Sequence, residues 1–460
     1  MILSPDLMRP AAGATIAVIG GGACGLIAAL SALDCGKDVL VIERDRVPSG
    51  STALSSGFIP AAATAAQAAQ GIQDSPDLLT ADILRKSHNE ADPHEAARVA
   101  RAAGPALDWL AADHAIPFHV LDGFLYPGHS RHRMHAVPER TGAALMARLL
   151  AAAETAEVPI LTDARAIALF ADTSGRVHGV RVERPGGATE DVECSALILA
   201  CNGYGGAPEL VRRHIPEIAN ALYFGHAGNQ GDALHWGAGL GAEARDLSAY
   251  QGHGNVAHPH GALITWALLM EGGIQVNTLG ERFSNEHDGY SEQAVRVLRQ
   301  PGGVAWTVYD ARLHELGMGF DDYRTAAAAG AIRTAPDAVS LAAELGLPAA
   351  LEKTIEAAQH RARNQETDPF GRRFAAPALQ PPFHAVRVTG TLFHTQGGLM
   401  VDDDARVLRP GGGALPNLFA GGGAARGVSG AHVEGYLSGN GLLTAVAYGR
   451  LAGVAAAKQG

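Results

Sequence analysis

The sequence lacks the features that mark nucleic-acid-binding and membrane-spanning proteins. No run of lysine and arginine is present, and the 460-residue chain carries a formal net charge of −11. A chain with this balance is repelled by nucleic acid and by anionic lipid surfaces. No apolar run reaches the ~18 residues that a membrane-spanning helix needs. We therefore expect a small-molecule substrate, with no nucleic acid partner and no membrane span.

Cysteines are few, and their spacing is that of neither a metal site nor a haem attachment site. This usage favours buried, reduced thiols in a cytoplasmic protein. The first residues contain one arginine and no apolar core before a cleavage site, so no signal peptide is expected. Both features predict a cytoplasmic location. The four cysteines are Cys24, Cys35, Cys194 and Cys201.

Glycine and apolar residues are abundant instead. The chain has 57 glycines, and 47% of its residues are apolar. Its length is sufficient for two or three domains with a large core. These properties are typical of a glycine-rich globular protein with more than one unit.

The first strand, turn and helix form a predicted dinucleotide-binding unit. Thr15 to Ile19 is an apolar run of strand length, and GGGACG follows it at once. A helical apolar pattern then leads to a second strand that ends at Glu43. Gly20 permits the tight turn, Gly22 lets the backbone approach a pyrophosphate, and Gly25 allows close helix–strand packing. Glu43 stands where a carboxylate binds ribose hydroxyls.

Segments outside this unit favour a flavin over a nicotinamide dinucleotide. A small, hydroxylic segment runs from Ser49 to Gly57, where a flavoprotein chain passes beside the pyrophosphate and reaches the isoalloxazine ring. Glycine-rich turns also follow apolar strands within Asp191–Gly206 and Leu415–Gly430. The N-terminus of the last predicted helix can face the negative charge of a reduced flavin. The cofactor domain is therefore expected to be assembled from both ends of the chain.

The order of these segments resembles the fumarate reductase/succinate dehydrogenase flavoprotein family, which includes the 3-ketosteroid dehydrogenases. The similarity covers nearly the whole chain. It rests on AVIGGGACG, VIERD, GSTALSSG, GHSRHRMH, LILACNGYGGAPEL, NQGDALHWGAGLGAEA, GERFSNE, HTQGGLMVD, LFAGGGA and GNGLLTA.

The resemblance implies a glutathione-reductase-like fold of the α/β class. Its FAD-binding domain, of the Rossmann type with a three-layer ββα arrangement, is interrupted by an α+β capping domain, and substrate binds between cap and flavin. The expected boundaries are residues 1–248 and 385–460 for the FAD-binding domain and 249–384 for the cap. Carried over position by position, the cofactor contacts fall on Gly20, Gly22, Ala23, Gly25, Glu43, Arg44, Ser51, Thr52, Ser56, Gly57, Ala166, Asn202, Asp232, Gly423, Asn440, Gly441 and Leu442.

The resemblance also indicates how the cofactor is held. Members that link flavin covalently have a histidine in the serine-rich segment, and residues 49–59 contain none. The FAD is therefore expected to be noncovalent. No CxxCH motif is present, so the haem domain of some soluble fumarate reductases is not expected. The electron acceptor, whether O2, a quinone or a carrier protein, is left open.

The positions that bind a dicarboxylate in fumarate reductases carry other residues here. The arginine that donates a proton after the RFxNE stretch aligns with Tyr290, and the clamp arginine of the C-terminal turn aligns with Tyr436. The clamp histidine aligns with Phe393, with His394 after it, and the family's Thr-Glu-xx-Arg segment retains only Thr265. Each lost arginine–carboxylate contact is costly in a dehydrated site. Fumarate reduction is therefore not expected.

The substituted residues match the ketosteroid dehydrogenases instead. That group has a tyrosine at each of these two places. Its Δ4-type members have a serine two residues after the second tyrosine, as Ser438 follows Tyr436. The resemblance implies that Tyr290 removes the Cα proton of a ketone while Tyr436 stabilises the enolate, together with Ser438 or a backbone N–H.

Tyr290 needs a suitable environment to act as a base at neutral pH, because an unperturbed tyrosine titrates near ~10. The candidate neighbours are the side chains of His287, His253 and Arg282 and the flavin region, and the sequence does not rank them. A helper role for Tyr126 is weaker than its interpretation as a surface-loop residue. Each tyrosine also has a structural alternative, as a packing residue whose hydroxyl is satisfied.

Two further groups of residues have open interpretations. His253 and Thr265 align with positions that bind the other carboxylate in fumarate reductases, which favours a polar or carboxylate group opposite the ketone. Both residue types also fill ordinary polar pockets. The resemblance places the basic cluster of GHSRHRMH in a loop at the border of FAD-binding domain and cap, and a solvated loop is the alternative. The cluster consists of His129, Arg131, Arg133 and His135.

These observations predict an FAD-dependent dehydrogenase that introduces a C=C bond α,β to a ketone. The expected substrate is a small cyclic ketone or an oxocyclohexane-type keto acid. The alternative is a fumarate-reductase-like ene reductase acting on an α,β-unsaturated carboxylate, because one site can serve both directions. A flavin carrier without catalysis is disfavoured, since a separate cap covers the flavin edge that a carrier exposes.

Overall fold

The computed structural model describes residues 1–459, and the mixed α/β class expected from the sequence is confirmed. The strands are β1 (Ile2–Leu3), β2 (Pro10–Ile19), β3 (Val39–Ile42), β4 (Ile59–Pro60), β5 (His119–Val120), β6 (Met134–Ala136), β7 (Ile160–Leu161), β8 (Arg165–Ala171), β9 (Val177–Glu183), β10 (Thr189–Leu199), β11 (Leu222–Tyr223), β12 (Ala244–Arg245), β13 (Tyr250–Ala257), β14 (Ile274–Val276), β15 (Val304–Asp310), β16 (Ile332–Ala335), β17 (Phe383–Thr395), β18 (Gly398–Leu399), β19 (Arg406–Leu408) and β20 (Ala414–Ala420). The α-helices are α1 (Ala23–Asp34), α2 (Gly50–Ala53), α3 (Ala65–Ala69), α4 (Pro76–Lys86), α5 (Pro93–Asp113), α6 (Gly142–Thr155), α7 (Pro208–His214), α8 (Asp232–Gly239), α9 (Ala267–Met270), α10 (Tyr290–Leu298), α11 (Ala311–Met318), α12 (Asp321–Ala328), α13 (Ala338–Leu345), α14 (Ala350–Asn364) and α15 (Asn440–Ala457).

The larger sheet has nine strands and is built from both ends of the chain. Its order is β1-β8-β9-β10-β2-β3-β7, with β20 pairing β10 and β19 pairing β20. β10 runs parallel to both β2 and β20, and β2 runs parallel to β3. The parallel strands are apolar along their buried length because α1, packed against α15, covers this region. The expected assembly from distant segments is therefore present.

Glycine shapes the turn that follows β2. Gly20 has a φ of +107°, and a Cβ on Gly25 would lie 1.8 Å from the Gly20 carbonyl oxygen. Neither position accommodates a side chain without displacing the backbone. α1 begins at once, with Gly22 as its N-cap. The N-terminus of α1 thus lies at the carboxyl end of β2, where parallel sheets bind ligands.

The second sheet has six strands and a core of its own. β17 pairs with β11, β13, β15 and β16, and β15 pairs with β14. Its core combines side chains such as Ile274, Val308 and Tyr309 with residues of α11, α13 and α14. β17 passes through position 384/385, where the sequence predicts the return to the FAD-binding domain. The predicted domain boundaries stay a prediction.

All four cysteines are free. Cys24 and Cys194 are buried, and burial raises the pKa of each thiol to about 12. The expectation of buried thiols is wrong for Cys35, which is exposed because it lies at the surface end of α1. Within residues 1–459, no helix is both long and apolar enough to cross a bilayer.

Candidate active site

A cavity of about 260 Å³ is lined by residues of both sheets. The larger sheet contributes the Gly20 turn, and α2 and the start of α15 form further parts of its wall. The second sheet contributes β13 and β17, and α10 begins at the wall. Because segments from residue 19 to residue 445 converge on it, the cavity exists only in the folded chain.

Most of the predicted cofactor contacts lie on this cavity. Gly25 does not, because it packs against Gly20 as expected of a helix–strand contact. Asn440 is also absent from the wall, since its side chain is buried against the hydroxyl of Ser429 at 3.2 Å. The wall residues are Gly20, Gly22, Ala23, Glu43, Arg44, Ser51, Thr52, Ser56, Gly57, Ala166, Asn202, Asp232, Gly423, Gly441 and Leu442.

Hydrogen bonds fix the loops around the Gly20 turn. Glu43 accepts from the Gly21 N–H at 2.7 Å, and Thr52 Oγ1 accepts from the Ala23 N–H at 3.2 Å. Asn202 donates to Ser51 Oγ at 3.1 Å. The predicted ribose-binding carboxylate and the hydroxylic segment therefore meet at the N-terminus of α1, where the partial positive charge of the helix favours an anion.

The two tyrosines singled out in the sequence lie together at another part of the wall. Tyr290 is the first residue of α10, after Gly289 with a φ of +148°. Tyr436 follows a short 3-10 turn. The ring centroids are 6.0 Å apart with an interplanar angle of 60°, and both side chains are buried. Trp266 packs against the same pair within one apolar cluster.

The surroundings of Tyr290 oppose and assist its ionisation at once. Burial raises the pKa of Tyr290 to about 12. Donors from Ser438, the Gly439 N–H and Tyr436 lower that pKa in part. Burial also raises the pKa of Tyr436, and the neighbouring Tyr290 raises it further. Both tyrosines are therefore neutral at pH 7 and differ in the donors that surround them.

The histidines of the cavity are uncharged. Burial lowers the pKa of His253 to about 3 and that of His394 to about 4. His253 is stacked between Tyr290 and Phe393, at centroid distances of 4.8 and 5.3 Å. Thr265 also lines the wall, where its hydroxyl accepts from the Ala267 N–H at 3.3 Å. These four predicted substrate-side residues thus supply no positive charge.

Of the three side chains that the sequence suggested as neighbours of Tyr290, only one contacts it. That residue is His253, and it is neutral. Arg282 is bound to Glu286 and Asp368 away from the wall, and His287 bonds the Leu269 carbonyl oxygen at 3.3 Å. The sequence predicted Ser438 or a backbone N–H as a helper of Tyr436 at the enolate, but it did not identify Gly439 or place these donors beside Tyr290. A backbone group leaves no residue-type signal.

Comparison with known proteins identifies the family of the chain. A family model described as an FAD binding domain matches residues 15–442. The chain belongs to this family. It is an FAD-dependent oxidoreductase.

The chain is similar over nearly its whole length to reductases and to a ketosteroid dehydrogenase. The chain is 29% identical over 447 residues to fumarate reductase (cytochrome) of Shewanella frigidimarina, covering 96% of this chain and 77% of that protein. It is 26% identical over 457 residues to urocanate reductase of Eggerthella lenta, covering 96% of this chain and 74% of that protein. The structure of 3-ketosteroid-Δ4-(5α)-dehydrogenase from Rhodococcus jostii RHA1 with 4-androstene-3,17-dione superposes with a TM-score of 0.78. It is 26% identical and covers 99% of each chain.

The cavity of this family member fits a flavin dinucleotide. The N-terminus of α1 and that of α15 both reach the wall, so two sets of backbone N–H groups are available to anionic groups. A Cβ on Gly441 would lie 2.7 Å from the His394 ring, which shows how closely that ring covers the start of α15. The donors and the small residues around Gly20 suit phosphates, and the start of α15 suits a flavin ring.

Tyr126 is a wall residue of the cavity. It is half-buried and packs against Phe58 and Phe124, at centroid distances of 6.0 and 4.8 Å. The interpretation as a surface-loop residue is therefore wrong. Phe58 lies just before strand β4 and Phe124 lies in the loop itself. The contact with Phe58 therefore could not be read from the local sequence.

The basic cluster is not a solvated loop. Arg133 is fully buried and binds Asp74 at 2.9 Å and Asp82 at 2.6 Å. His135 bonds the Thr64 hydroxyl at 2.7 Å, and His129 is also buried. Only Arg131 is exposed. The local density of charge suggested a solvent-exposed loop. The carboxylates of Asp74 and Asp82, which are distant in sequence, instead pair with the Arg133 guanidinium and make its burial tolerable.

The second sheet's helices contribute wall residues that the sequence did not indicate. Phe320 and Asp322 lie on the turn between α11 and α12 and at the start of α12. Phe320 faces Phe124, with 6.3 Å between ring centroids. Asp322 makes no ion pair within residues 1–459. Neither residue belongs to a recognisable sequence motif. They reach the cavity only because their segment packs against the 124–126 loop.

Proposed function

We propose that the chain is an FAD-dependent dehydrogenase that introduces a C=C bond α,β to the carbonyl group of an uncharged cyclic ketone. One observation carries the proposal. Tyr290 and Tyr436 lie side by side on the cavity wall, with a second layer of donors from Ser438 and Gly439. A base and an oxyanion donor at one point are what removal of a proton next to a carbonyl requires.

The distribution of charge supports an uncharged substrate. Arg44 and Arg165 are the only arginine or lysine side chains that line the cavity within the described residues. Both lie near Glu43: Arg44 follows it in sequence, and Ala164 N–H bonds the Glu43 carbonyl oxygen at 2.9 Å. The residues around Tyr290 are aromatic or neutral histidine. A carboxylate placed there has no cation to replace its lost hydration.

The chain's own residues divide the reaction into two tasks. Tyr290 accepts the proton that leaves Cα, and Ser438 and the Gly439 N–H stabilise the tyrosinate that performs this step. Tyr436 donates a hydrogen bond to the carbonyl oxygen as it gains enolate charge. The stacked rings of His253 and Phe393 offer a flat surface against which the apolar ring of the substrate packs. FAD, when bound, supplies the acceptor for the hydride that leaves Cβ.

Reduction of a C=C bond is the second candidate, because the names of relatives favour it. Fumarate reductase and urocanate reductase are both among the similar proteins. The same site serves this direction when Tyr290 returns its proton to Cα. The lack of a cation near Tyr290 makes an enone a better substrate than an unsaturated carboxylate.

Anaerobic mixing of the FAD-loaded protein with a panel of cyclic ketones tests the proposal. The oxidised flavin absorbance band is expected to bleach with cyclohexanone-type or fused-ring ketones, and the enone product is identified by mass spectrometry. The matched panel contains the same ketones with an added carboxylate. The proposal is rejected if no ketone bleaches the flavin while fumarate or another unsaturated carboxylate reoxidises the reduced protein.

A further inference from the structure

The loop that carries the basic cluster reaches the back of the proposed active site. His129 Nε2 lies 2.9 Å from the Ser438 carbonyl oxygen, and the histidine is buried. Its Nδ1 has no hydrogen-bond partner within residues 1–459. Since a carbonyl oxygen only accepts, the contact requires the Nε2–H form of the ring. His129 is therefore a fixed donor to the peptide that joins Ser438 to Gly439.

The other end of that peptide faces the reacting groups. Gly439 lines the cavity, and its N–H bonds no backbone carbonyl within the described part of the chain. The same N–H lowers the pKa of both Tyr290 and Tyr436. Gly439 has a φ of +87°, and a Cβ there would lie 2.6 Å from Pro60 Cδ. The peptide is thus held in one orientation by its own conformation and by its packing.

A hydrogen bond at a peptide carbonyl strengthens the N–H of the same peptide as a donor, because linked hydrogen bonds polarise one another. We propose that His129 is a positioning residue, which holds and polarises the Ser438–Gly439 peptide so that its N–H stabilises negative charge at Tyr290 and on the substrate oxygen. This inference rests on the proposed function for its catalytic meaning. It assigns a role to the histidine that begins the basic cluster.

The rest of the cluster explains why His129 can do this. Ser130 donates to Asp82 through both its N–H and its hydroxyl, at 2.8 Å each, and Arg133 binds the same carboxylate. His129 N–H bonds the Tyr126 carbonyl oxygen at 3.1 Å. These bonds fix the loop and therefore the direction of the imidazole.

The charged groups around His129 keep it neutral. Burial lowers its pKa to about 4, and Arg133 and Arg85 lower it as well, whereas Asp82 and the Ser438 carbonyl oxygen raise it. The charged pair near Tyr290 is Glu292 with Lys86, whose atoms are in contact across α10 and α4. Between about pH 6 and 9 the His129 ring stays neutral, since this range lies well above its pKa.

Two amide substitutions separate the hydrogen bond from packing. In His129→Gln the amide nitrogen can take the place of Nε2 and donate to the Ser438 carbonyl oxygen, whereas in His129→Asn the shorter side chain cannot reach it. His135→Asn is the control, because His135 is also buried in the same segment and its hydrogen bonds go to Thr64 and Arg133, not to the peptide. All three are compared as FAD-loaded proteins, with thermal unfolding recorded for each.

Two readouts respond to the peptide and not to stability. The first is the pH dependence of flavin bleaching by a ketone. His129→Asn should move the rise of the rate to higher pH and slow the reaction about threefold to tenfold at pH 7, whereas His129→Gln should restore it. His135→Asn should lower the unfolding temperature and leave the pH profile unchanged.

The second readout needs no turnover, so it separates failure of this inference from failure of the proposed function. Para-substituted phenols imitate an enolate, and their binding is followed by the change in flavin absorbance. Affinity should rise with phenol acidity in the wild-type protein and in His129→Gln, and this dependence should flatten in His129→Asn. Tyr436→Phe confirms that the phenols occupy the proposed oxyanion site.

The outcomes are distinct. If no ketone bleaches the wild-type flavin but the phenol dependence flattens only in His129→Asn, the peptide role stands and the proposed reaction falls. If His129→Asn matches the wild type in both readouts, the inference is overturned. Should His129→Asn not retain FAD, His129→Ala with and without added imidazole replaces it, and absence of imidazole rescue overturns the inference.

Discussion

The ring of Tyr290 meets the ring of Tyr436 edge to face, with 6.0 Å between their centroids. Tyr290 is the first residue of α10, which packs on the second sheet. Tyr436 lies just before α15, which packs against α1 beside the larger sheet. Their contact therefore depends on how the two sheets are placed. The polar groups that surround them, Ser438 and the Gly439 N–H, belong to the second segment alone.

Replacement of Tyr290 by phenylalanine should abolish proton removal while leaving the cavity filled. We expect the rate of flavin bleaching by a ketone to fall by about 10²- to 10⁴-fold. Tyr250→Phe is the matched control, since the Tyr250 hydroxyl is buried without a partner in the described chain and does not line the cavity. Stopped-flow absorbance of the FAD-loaded variants measures both. Equal rates for the two variants would contradict a catalytic Tyr290.

Ketone oxidation should accelerate as pH rises. Burial raises the pKa of Tyr290 to about 12, so the basic tyrosinate is the minor form throughout the neutral range. Each pH unit then increases its population, and the bleaching rate should rise about tenfold per unit while proton removal limits the rate. In the reverse direction the protonated tyrosine is the donor, and the rate should stay level over the same range. A bleaching rate that falls with pH would exclude a tyrosine base.

Substrate charge should be sensed by Asp322. This carboxylate lies on the cavity wall without an ion-pair partner in residues 1–459, so it repels a carboxylate on the substrate. Asp322→Asn should raise kcat/KM for a 4-carboxylated cyclic ketone by about two- to tenfold and leave the uncharged ketone unchanged. Asp321→Asn is the control, because Asp321 pairs with Arg324 and does not line the cavity. An equal response to both substitutions would show that only overall charge matters.

The buried ion pairs of Glu286 should make the second sheet acid-sensitive. Burial raises the pKa of Glu286, but Arg372 and Arg282 lower it by a larger amount. The pKa of Glu286 is therefore about 2. Because the folded pKa lies below the unfolded value near ~4.3, this stabilisation is present above pH ~4.3 and is lost as pH falls towards 2.

Glu286→Gln measures that contribution. The substitution leaves the buried Arg372 without an ion-pair partner among the described residues, and Arg282 with Asp368 alone. The free energy of unfolding at pH 7 should therefore drop by about 3–5 kcal/mol. The exposed pair of Glu139 and Arg148 provides the control, and Glu139→Gln should cost less than about 1 kcal/mol. Urea unfolding at pH 7 and at pH 3 checks both, and the gap between wild type and Glu286→Gln should narrow at the lower pH.

The cofactor should be released intact on unfolding. Residues 49–59, which lie along the cavity, contain no histidine to form a covalent link. After heat precipitation, the flavin should be found in the supernatant as free FAD by fluorescence and mass spectrometry. Flavin retained in the pellet after washing in denaturant would show a covalent attachment elsewhere.

The cofactor half of the protein was predictable from local sequence, for a physical reason. Tight turns and close backbone approaches admit only glycine, so Gly20 and Gly25 identify their own roles, and the structure places them as expected. The carboxylate of Glu43 follows its strand at a spacing that the βαβ unit imposes. Such constraints act within a few dozen residues, which is why a single sequence reveals them.

The substrate half was predictable only in part. The family resemblance singled out Tyr290 and Tyr436, and it predicted Ser438 or a backbone N–H as a helper of Tyr436. It did not predict that these donors act on Tyr290, because Tyr290 lies in a distant segment of the chain. Tyr126 and His129 were assigned to a loop whose burial depends on Asp82 and on Phe58, neither of which is adjacent in sequence.

The sequence by itself determined the dinucleotide turn and the choice of flavin, and it predicted that Tyr290 and Tyr436 replace the family's carboxylate-binding arginines. The tertiary structure decided which side chains share the cavity: it brought Asp322 to the wall, turned Arg282 away to Glu286, and set His129 behind the Ser438 carbonyl. Glycine conformation is a local property, whereas burial of a charge or a hydroxyl depends on partners that only the folded chain supplies.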